Sequence, residues 1–181
     1  MNERKILIVD DDINVVRALG KTFTTILPGY LLLTATSGNE GLNMLKSQNP
    51  DVVIVDVRLG EESGMDLIKE FHTHAKEKWR RPPRFIVITA YDDERVKQEA
   101  TQTYKVDKFL LKPFADGEIQ EAVLEAVEKC LKEDFEMGMK QLTFARMHMS
   151  RRKERAREAH RQVVDESKRK STQAGKDGSD G

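Results

Sequence analysis

Carboxylates, a hydroxyl and a lysine close four of the chain's short apolar runs. Ile6–Val9 leads into Asp10-Asp11-Asp12, Val52–Val55 into Asp56, Phe85–Ile88 into Thr89, and Lys108–Leu111 into Lys112-Pro113. Carboxylates gathered at one edge repel each other and raise each other's pKa unless a cation compensates. A hard divalent cation suits such a set, and Mg²⁺ takes one or two carboxylates while keeping waters and a phosphate oxygen. A lysine supplies a second positive charge for phosphoryl oxygens. A remaining carboxylate can then act as a nucleophile, since Asp forms aspartyl-phosphates. Asp12 is set apart from the others: it directly precedes the helical stretch at Ile13 and reads as its N-cap.

For these side chains to meet, the runs that carry them must lie side by side. Lys5–Val9, Leu31–Ala35, Val52–Val55, Phe85–Ile88 and Lys108–Leu111 are short, β-branched-rich and without clean alternation, as strands buried on both faces are. Helical stretches separate them. Ile13–Ile26 places Val15/Val16, Leu19, Phe23 and Ile26 on one stripe; Gly38–Lys46 carries Leu42 and Leu45; Met65–His74 carries Leu67, Ile68 and Phe71; Asp93–Thr101 is mostly polar. Alternating strands and helices predict βαβ units with right-handed crossovers, hence a parallel sheet covered on both faces. In such a sheet ligands bind at the carboxyl ends of the strands, which is where the acids, the threonine and the lysine fall.

Together, Ile6-Leu-Ile-Val-Asp-Asp-Asp12, Asp51-Val-Val-Ile-Val-Asp56, Val87-Ile-Thr-Ala90 and Phe109-Leu-Leu-Lys-Pro-Phe114 resemble the receiver domain of two-component response regulators. The resemblance covers about residues 4–130. It implies a CheY-like, flavodoxin-like (βα)5 fold with a five-stranded, doubly wound parallel sheet, followed here by an extended C-terminal helix. It also implies a bacterial, cytoplasmic phosphoprotein that is a phosphoacceptor switch rather than an enzyme, phosphorylated by a sensor histidine kinase or phosphotransfer protein in a Mg²⁺-dependent reaction. Position by position, Asp56 is then the phosphoacceptor and also faces the metal. Asp11 binds Mg²⁺ directly, Asp10 assists through water or Lys112, and the backbone carbonyl of Arg58 completes the protein ligands. Lys112 contacts the incoming phosphoryl group, placed by a cis peptide to Pro113, and Thr89 donates its hydroxyl after transfer. Phe109 is the aromatic switch residue that follows Thr89 inward. Ala90 leaves the phosphoryl site open, and Arg58 and Tyr91 stand where the lifetime of the phosphorylated state is tuned.

Two stretches depart from the family pattern. Leu59-Gly-Glu-Glu-Ser-Gly64 has Gly60 where a proline is common, which predicts a looser loop, and Ala75–Arg84 is a long, basic connector. Neither is expected to touch the phosphorylation chemistry. A haloacid-dehalogenase-like phosphatase would also use a strand-end Asp-x-Asp, a Thr and a Lys. That reading leaves Asp56 unexplained and needs a later acidic motif that Asp116 and Glu118 do not supply.

Composition bounds the rest. With 31 Lys+Arg against 31 Asp+Glu, the balance argues against binding to nucleic acid or acidic membranes through bulk charge alone. The single cysteine, Cys130, excludes a disulfide framework, and lies on the apolar stripe Ile119, Val123, Val127, Cys130/Leu131. His72, His74, His148 and His160 lack ligand spacing. No apolar run approaches the length of a membrane span, and no leader pattern precedes Lys5.

Three regions are expected: a receiver domain over 1–130, a charged helical extension over 131–170 and a disordered tail over 171–181. In the extension Phe135, Met139, Leu142, Arg146 and Met149 follow a four-three spacing that Arg146 spoils. Charge is sorted along it, eight acids and two bases from Asp116 to Glu136, then eight bases and two acids from Lys140 to Arg161. Such sorting is complementary between antiparallel helices, either folded back on one chain or from two subunits; the expectation is a homodimer through the C-terminal helix or docking on a partner. No DNA-binding pattern follows residue 130. The alternative function is a phosphorylation-independent binding module whose basic helix meets RNA or an acidic protein.

Overall fold

The computed structural model describes residues 3–74 and 82–174. The basic segment 75–81 and residues 175–181 of the expected tail lie outside them. The chain divides into two compact units, 1–132 and 133–181.

The first unit is built on five strands, β1 (Arg4–Val9), β2 (Tyr30–Ala35), β3 (Val52–Asp56), β4 (Arg84–Thr89) and β5 (Lys108–Leu111). They form one parallel sheet of order β2-β1-β3-β4-β5. Between and after them run α1 (Ile13–Ile26), α2 (Gly38–Gln48), α3 (Gly64–His74), α4 (Glu94–Gln98) and α5 (Asp116–Ala174). The expected five-stranded, doubly wound sheet is therefore what forms.

Two cores explain why the strand sequences are apolar without alternation. Ile6 and Ile8, Val52 and Ile54, and Ile86 and Ile88 point to one face, where Val16, Leu19 and Phe23 of α1 and Ile119, Val123 and Cys130 of α5 cover them. The intervening Leu7 and Val9, Val53 and Val55, and Phe85 and Val87 point to the other, against Leu45 of α2 and Leu67, Ile68 and Phe71 of α3. Every residue of β3 is buried. The central strands β1, β3 and β4 thus split their side chains by the two-residue period of the pleat, and both halves must be apolar.

Local chemistry sets the helix starts. Asp12 caps α1, its Oδ1 accepting from Asn14 N at 2.8 Å; Ser37 caps α2 through Glu40 N; and Asp93 caps α4 through Arg95 N at 2.9 Å. The helix expected over Asp93–Thr101 splits into α4 and a π-helical turn, Glu99–Thr103. Its end is held by Val106 N donating to Ala100 O and by Lys105 at φ +52°.

The loop after β3 corrects the sequence reading. It is a two-stranded antiparallel hairpin, Arg58–Leu59 with Glu62–Ser63, turned at Gly60 with φ +67°. A glycine first in a two-residue turn is a favoured hairpin arrangement, so replacing proline by Gly60 orders the segment instead of loosening it. Of the tail expected to be disordered, 171–174 continue α5.

Glycines 64 and 20 make opposite demands. A Cβ on Gly64 would lie 1.9 Å from the Asp56 carbonyl oxygen, whereas one on Gly20 meets nothing within 4 Å. Gly64→Ala should cost roughly 3 kcal/mol by forcing the hairpin away from β3, while Gly20→Ala, inside α1, should add about 0.5–1 kcal/mol. Urea unfolding of both variants checks the pair.

Candidate functional site

β1 and β3 are neighbours, with Val9 level with Val55, so the next residues, Asp10 and Asp56, emerge side by side. β4 follows β3 and ends in Thr89; β5 follows β4, with Leu111 level with Thr89. Lys112 is therefore one residue past the sheet edge on the far side of Thr89. Its backbone N–H donates to the Thr89 carbonyl at 2.7 Å, and its peptide bond to Pro113 is cis.

The lysine side chain reaches back across the end of β4. Lys112 Nζ donates to Asp10 Oδ2 at 2.6 Å and to Asp56 Oδ2 at 2.5 Å. Asp10 and Thr89 have no exposed surface and Asp56 is nearly buried. The remaining carboxylate oxygens are held by main chain: Asp12 N donates to Asp10 Oδ1 at 3.0 Å and Arg58 N to Asp56 Oδ1 at 3.1 Å. Asp11 is exposed; its Oδ2 accepts from Gly60 N at 3.0 Å. Thr89 Oγ1 accepts from Tyr91 N at 3.1 Å.

Burial raises the Asp10 carboxyl above the usual carboxylate range, against the opposing hydrogen bond and charge of Lys112 and the Asp12 N–H. Burial alone would lower the Lys112 ammonium, but its hydrogen bonds to Asp10 and Asp56 and their charges outweigh it, and its pKa rises.

Asp10, Asp11 and Asp56 each bring one carboxylate oxygen to within 4.8 Å of the others. Three hard oxygen donors against one ammonium fit a divalent cation of the Mg²⁺ kind. Among the described residues every position expected from the sequence at this edge is brought together: Asp10, Asp11, Asp56, Thr89 and Lys112, with Arg58 on the adjoining turn. Phe109 lies next along β5, partly buried against the α2–α3 core. The Arg58 guanidinium sits over the Tyr91 ring, 3.5 Å from its centroid, joining the hairpin to the end of β4.

One group was missed. Gly60, expected to stay clear of the chemistry, hydrogen-bonds Asp11, one carboxylate of the three-aspartate cluster. Beyond it, Glu62 accepts from Gly38 N and, at 3.2 Å, from Asn39 N, so the hairpin also holds the start of α2. The signal was present as a Gly-x turn between Leu59 and Glu62.

A doubly wound sheet that gathers three carboxylates and one cation at its switch-point edge is the flavodoxin-like α/β class in its receiver form. Residues 6–124 match the family model of the response regulator receiver domain, and the chain belongs to that family. Phosphorylation on an aspartate and dependence on Mg²⁺ are general to it. The transcriptional regulatory protein GlrR of Escherichia coli is 35% identical over 124 residues, 68% of this chain and 26% of that protein. The probable C4-dicarboxylate response regulator DctR of Bacillus subtilis is 30% identical over 67% of this chain and 51% of its own. The chain thus spans about a quarter to a half of the length of these relatives. Among solved structures, a CheY-like receiver domain protein from Methanospirillum hungatei matches with a TM-score of 0.63 at 21% identity, covering 73% of this chain and 99% of that one. CheY in a CheX-CheY-BeF3-Mg²⁺ complex from Borrelia burgdorferi matches with a TM-score of 0.58 at 24% identity, covering 68% and 89%. At these identities the two structures speak for the fold. No helix among the described residues is long and apolar enough to cross a membrane.

Asp10 gives a pH signature. A carboxyl whose folded pKa is raised binds more protons in the folded than in the unfolded state between the two values, so stability falls as pH rises through that window. Without divalent cations, the stability of Asp10→Asn relative to wild type should therefore increase as pH rises above the ordinary carboxylate range of about 4, as denaturant titration at several pH values would show. Mg²⁺ should raise the melting temperature of the wild type by binding only the folded state, and Asp11→Asn should reduce that shift.

Proposed function

We propose that the chain is a phosphoacceptor switch in which Asp56 takes a phosphoryl group from a phosphohistidine on a sensor histidine kinase or phosphotransfer protein. The observation that carries this reading is the Lys112 ammonium bonded to both Asp10 and Asp56, with Asp11 beside them.

An Asp56 carboxylate oxygen attacks phosphorus. The new O–P bond forms as the P–N bond breaks, and the imidazole leaves with that electron pair. Arg58 N–H and Lys112 fix the attacking carboxylate, so little orientation is lost on reaching the transition state. Lys112 then faces the phosphoryl oxygens, where a fixed positive charge offsets the charge that develops there. Bound between Asp10, Asp11, Asp56 and the Arg58 carbonyl, Mg²⁺ would supply further neutralisation of phosphoryl charge.

Thr89 Oγ1 already accepts from Tyr91 N, which leaves the hydroxyl proton to donate to a phosphoryl oxygen. That pull on Thr89, followed by Phe109 in the adjacent strand, is the change that would alter the surface around α4 and β5. Two states separated by a few kcal/mol suffice for such a switch. In this reading the chain catalyses only its own phosphorylation and dephosphorylation.

Intact-mass measurement after incubation with a small-molecule phosphodonor tests the assignment. A gain of one phosphate is expected with Mg²⁺, lost without it and lost in Asp56→Ala. Lys112→Ala should slow the gain by roughly 10²-fold. No gain in the wild type under any condition would overturn the phosphoacceptor reading and favour a receiver fold acting as a binding module.

A further inference from the structure

The second unit holds large apolar side chains that nothing among the described residues covers. Phe135 is 69% exposed, Leu142 67% and Met149 61%, and they recur at intervals of seven along α5. The spacing through Met139 and Arg146 fails as an apolar seam. Counted on the other side of the same line, the intervening positions are Gly138 and Ala145, both small. Phe135, Gly138, Leu142, Ala145 and Met149 then alternate three and four, the spacing of a coiled-coil seam. A Cβ on Gly138 would meet nothing within 4 Å, so no contact among the described residues calls for a glycine there, and in a helix interior it is unfavourable.

We propose that α5 pairs antiparallel with α5 of a second copy, in the register that sets Phe135 and Leu142 each against a small residue. Residues whose numbers sum to 280 face each other. Leu142 meets Gly138 of the other copy and Phe135 meets Ala145, each contact occurring twice by the two-fold axis. Counting the same register outward along the sequence brings Met149 opposite Leu131 and Arg152 opposite Glu128. Both charged residues are exposed. The charge sorting of α5 points to the same partner, because an acidic stretch followed by a basic one is complementary to itself only when reversed. A parallel pair would set acid on acid and base on base. The pairing requires no phosphoryl group on Asp56.

The test uses the full chain and its molar mass in solution by sedimentation equilibrium. The wild type should form a reversible dimer. Glu128→Arg and Arg152→Glu each place like charges together at both ends of the seam and should weaken self-association by at least roughly tenfold. An equimolar mixture of the two variants should dimerise again, since every such contact is then between opposite charges. Circular dichroism checks that each variant keeps its helix content. Oxidation of Gln141→Cys, next to the two-fold axis, should give a cross-linked dimer, while Arg155→Cys should not. A wild type that is monomeric at all concentrations, single variants that pair as tightly as wild type, a mixture that stays monomeric, or Arg155→Cys cross-linking as readily as Gln141→Cys would each overturn the proposal.

Discussion

One ammonium organises the carboxyl edge of the sheet. Asp10 and Asp56 leave adjacent strands at the same level, buried or nearly so, and two such carboxylates cannot both stay ionised without a cation between them. Lys112 supplies it from the end of β5, two strands beyond β3 and three beyond β1, bonded to both. That reach explains the order of the sheet's contents. β4 must lie between β3 and β5 and must end in a small hydroxyl residue, Thr89, over which the lysine can pass. The Lys112 N–H on the Thr89 carbonyl extends the β4–β5 pairing by one residue and fixes where the side chain begins. With three carboxylates against one ammonium, the edge still attracts a further cation.

The hairpin after β3 carries this local balance outward. Gly64 lets the chain return against Asp56 so closely that no side chain fits, and Gly64 N bonds the Val57 carbonyl at 2.9 Å. The hairpin then stands with Gly60 N against Asp11 and Glu62 against the first amides of α2. Asp10 and Asp56 are held by fixed main-chain donors and the lysine. Asp11 is the exposed member of the three, held by one hydrogen bond from a turn. Of the cluster, it is the carboxylate that can move toward an incoming cation at least cost. The same hairpin ends at Arg58 over Tyr91, so a change at Asp11 is mechanically close to the end of β4.

How much of this was legible depends on whether a feature is a matter of periodicity or of approach. The central strands were readable because both faces of β3 and β4 and most of β1 are buried, which makes Val52–Val55 a continuous apolar run. The site was readable because each of its residues directly follows such a run, and Asp12 was separable from Asp10 and Asp11 by its place before Ile13. The hairpin was not read. Proline in that loop is a familiar way to stiffen it, and its replacement by Gly60 looked like a loss, whereas positive φ in a two-residue turn is another route to order. The π-helical turn after α4 was equally hidden. It depends on Ala100, buried without a gap against the α2–α3 core, and on backbone bonds that no residue pattern announces. Pairs such as Arg58 over Tyr91 join residues 33 apart in the chain, from Arg58 to Tyr91, and only the register of β3 with β4 brings them together.

The two units obey different energetic rules. In 1–132 the helices α1, α2 and α3 are held by apolar faces buried against the sheet, whereas α4, five residues with none buried, is held by its Asp93 cap and the partly buried Val96. In the second unit helix formation rests on residues of good intrinsic propensity, Glu, Lys, Arg, Met and Ala, and on whatever its apolar side chains can cover. An isolated helix of that kind is marginal in water. Phe144 finds some cover against the tilted ring of His148, 4.2 Å between ring centroids; Phe135 and Leu142 remain about two-thirds exposed. The proposed seam, with so few bulky residues bracketed by charges, would give a reversible association and not an obligate one. That weakness suits a switch. A receiver whose two states differ by a few kcal/mol can bias only contacts of comparable strength, and a tight coiled coil would be indifferent to it.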